Sequence, residues 1–189
     1  MRILPGLLLC LSLACATTPA PRSYYLMRDA VPDGVAPTTA SAPIALGRID
    51  VAPYLREPAL VLETAPGEVR PARNHLWAEP LPDGVRLYLR DRISREIGSA
   101  IYGSTGSHGA PDTTVDVSLE QLHGTADGGA RLVATWRVTP PRDSGEATDF
   151  RIARTRPLAR AGYAALAEAE IALLGDLAAA IADSLREAP

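Results

Sequence analysis

The chain has 189 residues, 47% of them hydrophobic and 22% charged, and a net charge of −3 from 19 basic and 22 acidic residues. This composition excludes a predominantly disordered chain, and it disfavours nucleic-acid binding because polyanion binders are usually basic. All 19 basic residues are arginines, which excludes lysine-dependent Schiff-base chemistry and a Walker-type phosphate loop. Two cysteines are too few for a disulfide scaffold, and the length predicts a single domain.

The N-terminus has the pattern of an export signal. After Met1-Arg2, residues 3–14 form an uncharged, mostly apolar run that is too short to span a bilayer, which needs about 20 residues. The run ends Leu-Ser-Leu-Ala-Cys, which resembles the bacterial lipoprotein signal, whose cysteine is acylated and becomes the first mature residue. Ser12, where Leu is usual, and Leu13, where a smaller residue is common, depart from the usual pattern, but the small Ala14 fits it. We therefore expect a signal peptide at 1–14 and lipidation of Cys15; the alternative is an ordinary signal peptide with an incidental cysteine.

The segment behind Cys15 has the composition of a tether. Residues 15–23 are small, polar and proline-containing, and about eight residues at ~3.1 Å each reach roughly 25 Å. Ala16, where bacterial lipoproteins retained at the inner membrane carry Asp, favours the outer membrane and a periplasm-facing domain. The acyl lipid on Cys15 is the only non-protein group we expect, and residues 24–189 are predicted to form one periplasmic domain.

The first half of this domain predicts short strands followed by a helix. Strand-like segments lie at 24–27, 44–51 and 59–63, and a Pro-Gly turn follows the third, so that residues 68–70 can pair back. A helix begins at Pro80 or Pro82 and ends at Gly98, with apolar residues at every fourth position.

The second half predicts a meander and a long helix. Apolar residues alternate with polar ones at 114–120 and 131–138, and Phe150 opens a third strand after a second turn. Residues 160–187 form an alanine-rich helix. Strands, a helix, three strands and a helix predict a two-layer α+β fold: a mostly antiparallel sheet with two helices packed on one face.

Several segments together resemble one known family. Tyr-Tyr-Leu follows the tether, Ile-Asp-Val-Ala-Pro-Tyr-Leu lies at 49–55, His-Leu-Trp-Ala-Glu-Pro-Leu leads into the first helix at 75–81, and Trp136 lies in the middle meander strand. This set is similar to the PqiC-like family of ABC-type transport auxiliary lipoproteins. The resemblance implies a non-enzymatic outer-membrane lipoprotein that docks the periplasmic protein of an MCE-domain (mammalian cell entry) lipid transport system. It also implies a homo-oligomeric ring.

Four residues are candidate contacts with the partner or with further copies of the chain: Tyr54, Trp77, Glu79 and Pro80. Rigid aromatic anchors are typical of binding surfaces. The alternative is a structural role, because proline suits the first helical turn, glutamate suits a helix N-terminus, and tryptophan packs beneath.

Other polar groups carry weaker signals. No serine lies in a G-x-S-x-G pattern, and His75, His108 and His123 lie in separate predicted loops without metal-ligand spacing, so we expect neither a catalytic nor a metal site. Four arginines at 151, 154, 156 and 160 could meet lipid headgroups or an acidic partner, or could protect a sheet edge from pairing.

Two other functions stay open at this point: a structural envelope lipoprotein unrelated to transport, and a tethered periplasmic hydrolase. Docking predicts an exposed apolar or aromatic patch. A hydrolase predicts a polar cleft that contains acids of shifted pKa.

Overall fold

A computed structural model describes residues 20–28, 44–103, 113–141 and 144–187. The predicted signal peptide, Cys15, most of the tether and His108 lie outside these residues. The strands are β1 (Ser23–Tyr25), β2 (Ile44–Val51), β3 (Ala59–Ala65), β4 (Glu68–Trp77), β5 (Ile101–Gly103), β6 (Thr113–Gly124), β7 (Gly129–Thr139) and β8 (Thr148–Pro157). The helices are α1 (Leu81–Ile97) and α2 (Tyr163–Glu187), and a 3-10 turn spans Pro53–Leu55.

The eight strands form one mixed sheet that branches at β6. On one side of β6, the antiparallel meander β6–β7–β8 runs to the sheet edge. On the other side, β2 pairs parallel with the first part of β6. Strand β3 pairs with the last residue of β6, where Leu62 lies opposite Gly124. Strand β5 adds to β2, while β4 and then β1 add to β3. The 3-10 turn therefore lies at the branch, between two strands that share one neighbour.

Both helices pack on one face of this sheet and on each other. This arrangement confirms the predicted α+β fold. The two longest pairings, β6–β7 and β7–β8, are antiparallel as predicted, whereas β1, β2, β3 and β5 contribute parallel pairings that the sequence pattern did not indicate.

The interface between the meander and α2 shows how the core is held. The alternating residues of β7 that face α2 are buried, as period-two patterning requires. Trp136 stacks on Phe150 at 5.3 Å between ring centroids and donates from Nε1 to Oγ of Ser184 at 3.0 Å. The indole of Trp136 thus connects β7 to both β8 and α2.

Gly124 explains how β3 and α2 approach each other at the branch. A Cβ at this position would collide with Leu62 and would lie 3.2 Å from the side chain of Leu166. Only glycine permits such close contact between a strand and its neighbours.

Several boundaries differ from those predicted, and three of them bear on the candidate residues. Strand β4 continues to Trp77, so His75 lies in a strand, as does His123 near the end of β6. Helix α2 begins at Tyr163, three residues later than predicted, because Gly162 at φ 110° adopts a backbone conformation that no ordinary helix residue adopts.

Candidate anchoring and docking site

The first residues behind the tether are fixed to the domain by the segment at 75–79. Strand β1 pairs parallel with the end of β4, with Tyr25 opposite Trp77. The N–H of Ala78 then donates to the carbonyl of Tyr25 at 2.8 Å, and the N–H of Trp77 donates to the carbonyl of Pro58 at 2.7 Å. We call this arrangement of residues 23–28 held by residues 75–79 the N-terminal clamp.

An ion pair closes the clamp beside the start of α1. Arg28 donates to Oε1 of Glu79 at 2.7 Å, while Oε2 of Glu79 is buried without a hydrogen-bond partner. Pro80 is exposed and precedes α1, where its carbonyl accepts the N–H groups of Asp83 and Gly84 at 3.0 and 3.1 Å. The clamp therefore joins the N-terminal segment to a helix as well as to a strand.

Aromatic rings extend the clamp toward α2. Trp77 is 5% exposed and meets Tyr25 edge to face at 6.5 Å. The hydroxyl of Tyr25 lies 2.8 Å from Nδ1 of His75, within hydrogen-bond distance. His75 in turn stacks on Tyr163 at 4.2 Å, at the first residue of α2. Trp77 thus offers little surface to a partner and supports the clamp from beneath.

Tyr54 lies apart from the other three predicted contact residues. It occupies the 3-10 turn at the sheet branch, half-buried, with its ring edge to face against His123 at 6.1 Å. Its hydroxyl is buried, and burial raises the pKa of Tyr54 above its usual value, while the nearby backbone of Leu122 acts in the opposite direction. The negative charge that Glu170 can carry raises it further. The clamp contains Trp77 and Glu79, and Pro80 follows it directly. Tyr54 lies outside the clamp, at the sheet branch beside His123.

Glu170 is a buried acid that the sequence analysis did not identify as a candidate residue. It lies on α2 with 1% of its surface exposed, and Oε1 has no hydrogen-bond partner. Because burial disfavours the charged form, the pKa of Glu170 is raised well above its ordinary value. The sequence held a signal: Glu170 lies four residues from both Leu166 and Leu174, which places it on the apolar face of the helix.

An exposed apolar patch lies immediately behind the tether. Tyr24 is 59% exposed and Leu26 is 55% exposed, on and just beyond the edge strand β1. We call these two residues the β1 edge patch. It is an exposed apolar surface beside the clamp.

A charged groove of about 550 Å³ crosses β2, β6, β7 and β8 on the sheet face away from the helices. Its charges are paired: Arg48 with Asp50 at 2.8 Å and Arg137 with Asp149 at 2.6 Å. The hydrogen bonds from Arg137 lower the pKa of Asp149, so this acid stays ionised at neutral pH.

The arginines at 151–160 are also largely paired. Arg151 binds Glu120 at 2.8 Å, Arg156 binds Asp176 at 3.0 Å and Arg160 binds Glu168 at 2.6 Å. Three of the four lie on the edge strand β8. Because these arginines are paired and lie on an edge strand, they are better suited to protecting the sheet edge from pairing with other chains than to forming an open basic surface.

The described residues contain neither a metal cluster nor a membrane-spanning helix. Within these residues, no group of three or more His, Cys, Asp or Glu side chains could hold a metal ion. No helix among them is long and apolar enough to cross a membrane.

The described residues define an α+β domain in which two helices pack on a mixed sheet and residues 75–79 hold residues 23–28. Residues 24–182 match the family model of the ABC-type transport auxiliary lipoprotein component. The chain belongs to this family, which confirms the resemblance seen in its sequence.

Solved structures show the same fold. An uncharacterized protein of known crystal structure is 19% identical, with a TM-score of 0.73 over 88% of this chain and 99% of that one. A Xanthomonas campestris protein of family DUF330 is 15% identical, with a TM-score of 0.69 over 85% of this chain and 92% of that one. At these identities the likeness establishes the fold alone. No curated protein matches the sequence significantly.

Proposed function

We propose that this chain is a non-enzymatic lipoprotein subunit of an MCE/ABC-type intermembrane lipid transport system. Acyl chains on Cys15 anchor it to the outer membrane with its domain in the periplasm, where it docks the MCE-domain transport protein. The observation that carries the proposal is the N-terminal clamp, in a chain that belongs to the transport auxiliary lipoprotein family.

The clamp connects the proposed lipid anchor firmly to the folded domain. A lipidated Cys15 is joined to Ser23 by a tether of roughly 25 Å at most. Tyr25 is bonded to the backbone of Ala78, and Arg28 is ion-paired to Glu79. A partner that pulls on the domain is therefore resisted by the sheet and α1, and the domain stays within one tether length of the membrane.

The surface beside the clamp supplies candidate contacts. The β1 edge patch is exposed and apolar, and no other strand of the described residues pairs with the outer side of β1, so further copies or a partner can cover this surface. Pro80 is exposed, and Glu79 and Tyr54 are half-buried. We propose that Pro80 and the β1 edge patch contact the MCE-domain protein or the next copy in a ring, with Trp77 holding them in place and Tyr54 marking a second contact at the sheet branch.

The anchor is tested by Cys15→Ser. We expect a folded domain that moves from the membrane fraction to the soluble fraction, because no acyl chain remains to hold it. Cys10→Ser is the matched control, since Cys10 lies inside the predicted signal peptide and its loss leaves the anchor in place. A Cys15→Ser protein that still sediments with membranes contradicts the anchor.

The partner is tested by crosslinking in intact cells, followed by affinity isolation and mass spectrometry. We expect an MCE-domain protein and a ladder of crosslinked copies of the chain. Tyr24→Ser with Leu26→Ser should reduce one or both products, because it removes the β1 edge patch, whereas Val69→Ser, an exposed residue on β4, should not. Recovery of neither product contradicts the transport role and leaves the structural-lipoprotein alternative.

A further inference from the structure

A groove of about 600 Å³ lies beside the clamp, along the outer edge of β4. The groove is formed by residues 70–75 of β4 and Tyr163 at the start of α2; we call it the arginine groove. Two of its residues, Arg70 and Arg73, are basic, and none is acidic. It therefore presents a positive surface to whatever enters.

An irregularity in β4 builds this groove. Ala59 pairs with Leu76 and Val61 pairs with Pro71, so four residues of β4, 72–75, lie opposite the single residue Leu60. Pro71 cannot donate a ladder hydrogen bond, which favours such a break. Bulges re-aim side chains and are common beside binding sites.

The arginines of the groove are available to a ligand. Arg70 meets Glu68 at 3.4 Å, but both side chains are more than half exposed, and such pairs contribute little. Arg73 is exposed and has no ion-pair partner among the residues that the structure describes. Arginine binds phosphate oxygens through two parallel N–H groups.

An apolar pocket adjoins the groove. It has a volume of about 140 Å³ and is formed by Leu62, Leu158, Gly162, Tyr163 and Leu166. Its lining is almost entirely apolar, and the ring of Tyr163 borders both the pocket and the groove. The arginine groove and the apolar pocket therefore lie side by side. Together they suit a ligand that has both a negative charge and an apolar chain.

The tether places this site near the membrane. Strand β1 begins at Ser23, opposite His75, and β1 runs in the same direction as β4. The chain preceding Ser23 therefore leaves β1 in the direction of Arg73 and Arg70. With the anchor at Cys15, the groove lies within about 25 Å of the lipid surface.

We propose that the arginine groove binds one anionic phospholipid of the membrane that holds the chain, with its phosphate at Arg70 and Arg73 and part of an acyl chain in the apolar pocket. This inference rests on the proposed lipid anchor. It does not depend on the MCE-domain partner.

The test uses the full lipidated chain, purified in detergent, and native mass spectrometry with added dioleoyl phosphatidylglycerol or dioleoyl phosphatidylcholine. We expect one phosphatidylglycerol per chain, bound about tenfold more tightly than phosphatidylcholine. Arg70→Gln with Arg73→Gln should abolish that preference. Leu158→Trp, which fills the apolar pocket, should weaken the binding of both lipids.

Controls give each outcome a meaning. Arg56→Gln, at an exposed arginine outside the groove, should bind like the wild type. Equal loss in Arg56→Gln, or no preference for phosphatidylglycerol, overturns the proposal. Binding of inorganic phosphate alone as tightly as phosphatidylglycerol, in the same measurement, also overturns it, because the ligand is then a free anion. If lipid binding fails while crosslinking still recovers the MCE-domain protein, only this inference is lost.

Discussion

Replacement of Trp77 by alanine is expected to lower the free energy of unfolding by about 3–5 kcal/mol, the usual cost of truncating a buried tryptophan. Trp77 is 5% exposed, lies in the core cluster and meets Tyr25 edge to face. Its removal leaves a cavity directly beneath the clamp. Chemical denaturation of the soluble Cys15→Ser chain, followed by circular dichroism, measures the change.

A comparison with exposed residues separates packing from partner contact. Trp77→Phe should cost less than Trp77→Ala, because it retains an aromatic ring in the cavity. Tyr24→Ala, at a residue 59% exposed, should change stability by only about 0.5 kcal/mol and should instead reduce crosslinking. If Trp77→Ala is as stable as the wild type but loses the partner, Trp77 is a direct contact and its packing role is wrong.

The sequence predicted the meander and both helices because their signals are local. The alternation in β6 and β7 places one buried face against α2, and the every-fourth-residue pattern identifies α1. Hydrophobic periodicity depends on residues close together in the chain, so it can be recognised without knowing which strands pair.

The parallel pairings could not be predicted in the same way. Strand β1 pairs with β4 across about 50 residues, with Tyr25 opposite Trp77, and nothing local to Tyr25 specifies that neighbour. The sequence pattern predicted pairing only for residues 68–70 of β4. Its continuation to Trp77 depends on β1 and β3 holding it from either side.

The motif at 75–81 was recognised by composition, but its physical role appeared only in three dimensions. The ion pair of Glu79 with Arg28 and the hydrogen bond of Ala78 to Tyr25 join segments that are far apart in sequence. Tyr54 was identified as a candidate from its neighbouring proline, whereas its proximity to Glu170 depends on the sheet branch. Long-range contacts of this kind leave no short pattern to read.

The buried Glu170 gives a pH dependence whose sign can be stated in advance. Its ordinary pKa is 4.5, and burial raises the pKa in the folded protein well above that value. Below about pH 4.5 both folded and unfolded chains hold the proton, so the stabilising effect of protonation is fully present. Above that pH the unfolded chain loses the proton first, and stability falls by about 1.4 kcal/mol per pH unit until the folded pKa is reached.

Glu170→Gln isolates this effect, because glutamine keeps the shape and stays neutral. We expect the variant to gain stability relative to the wild type as pH rises from 4.5 to 7, with the gain measured by denaturation of the two Cys15→Ser chains at each pH. Glu168→Gln is the matched control: Arg160 lowers the pKa of Glu168, so its contribution is present at neutral pH and is lost as pH falls. Above pH 4.5 the stability difference between the wild type and Glu168→Gln should therefore stay constant, while the difference between the wild type and Glu170→Gln should grow. A wild-type to Glu170→Gln difference that stays constant across this range means that Glu170 ionises in the folded protein as readily as in the unfolded chain, which contradicts the effect of burial.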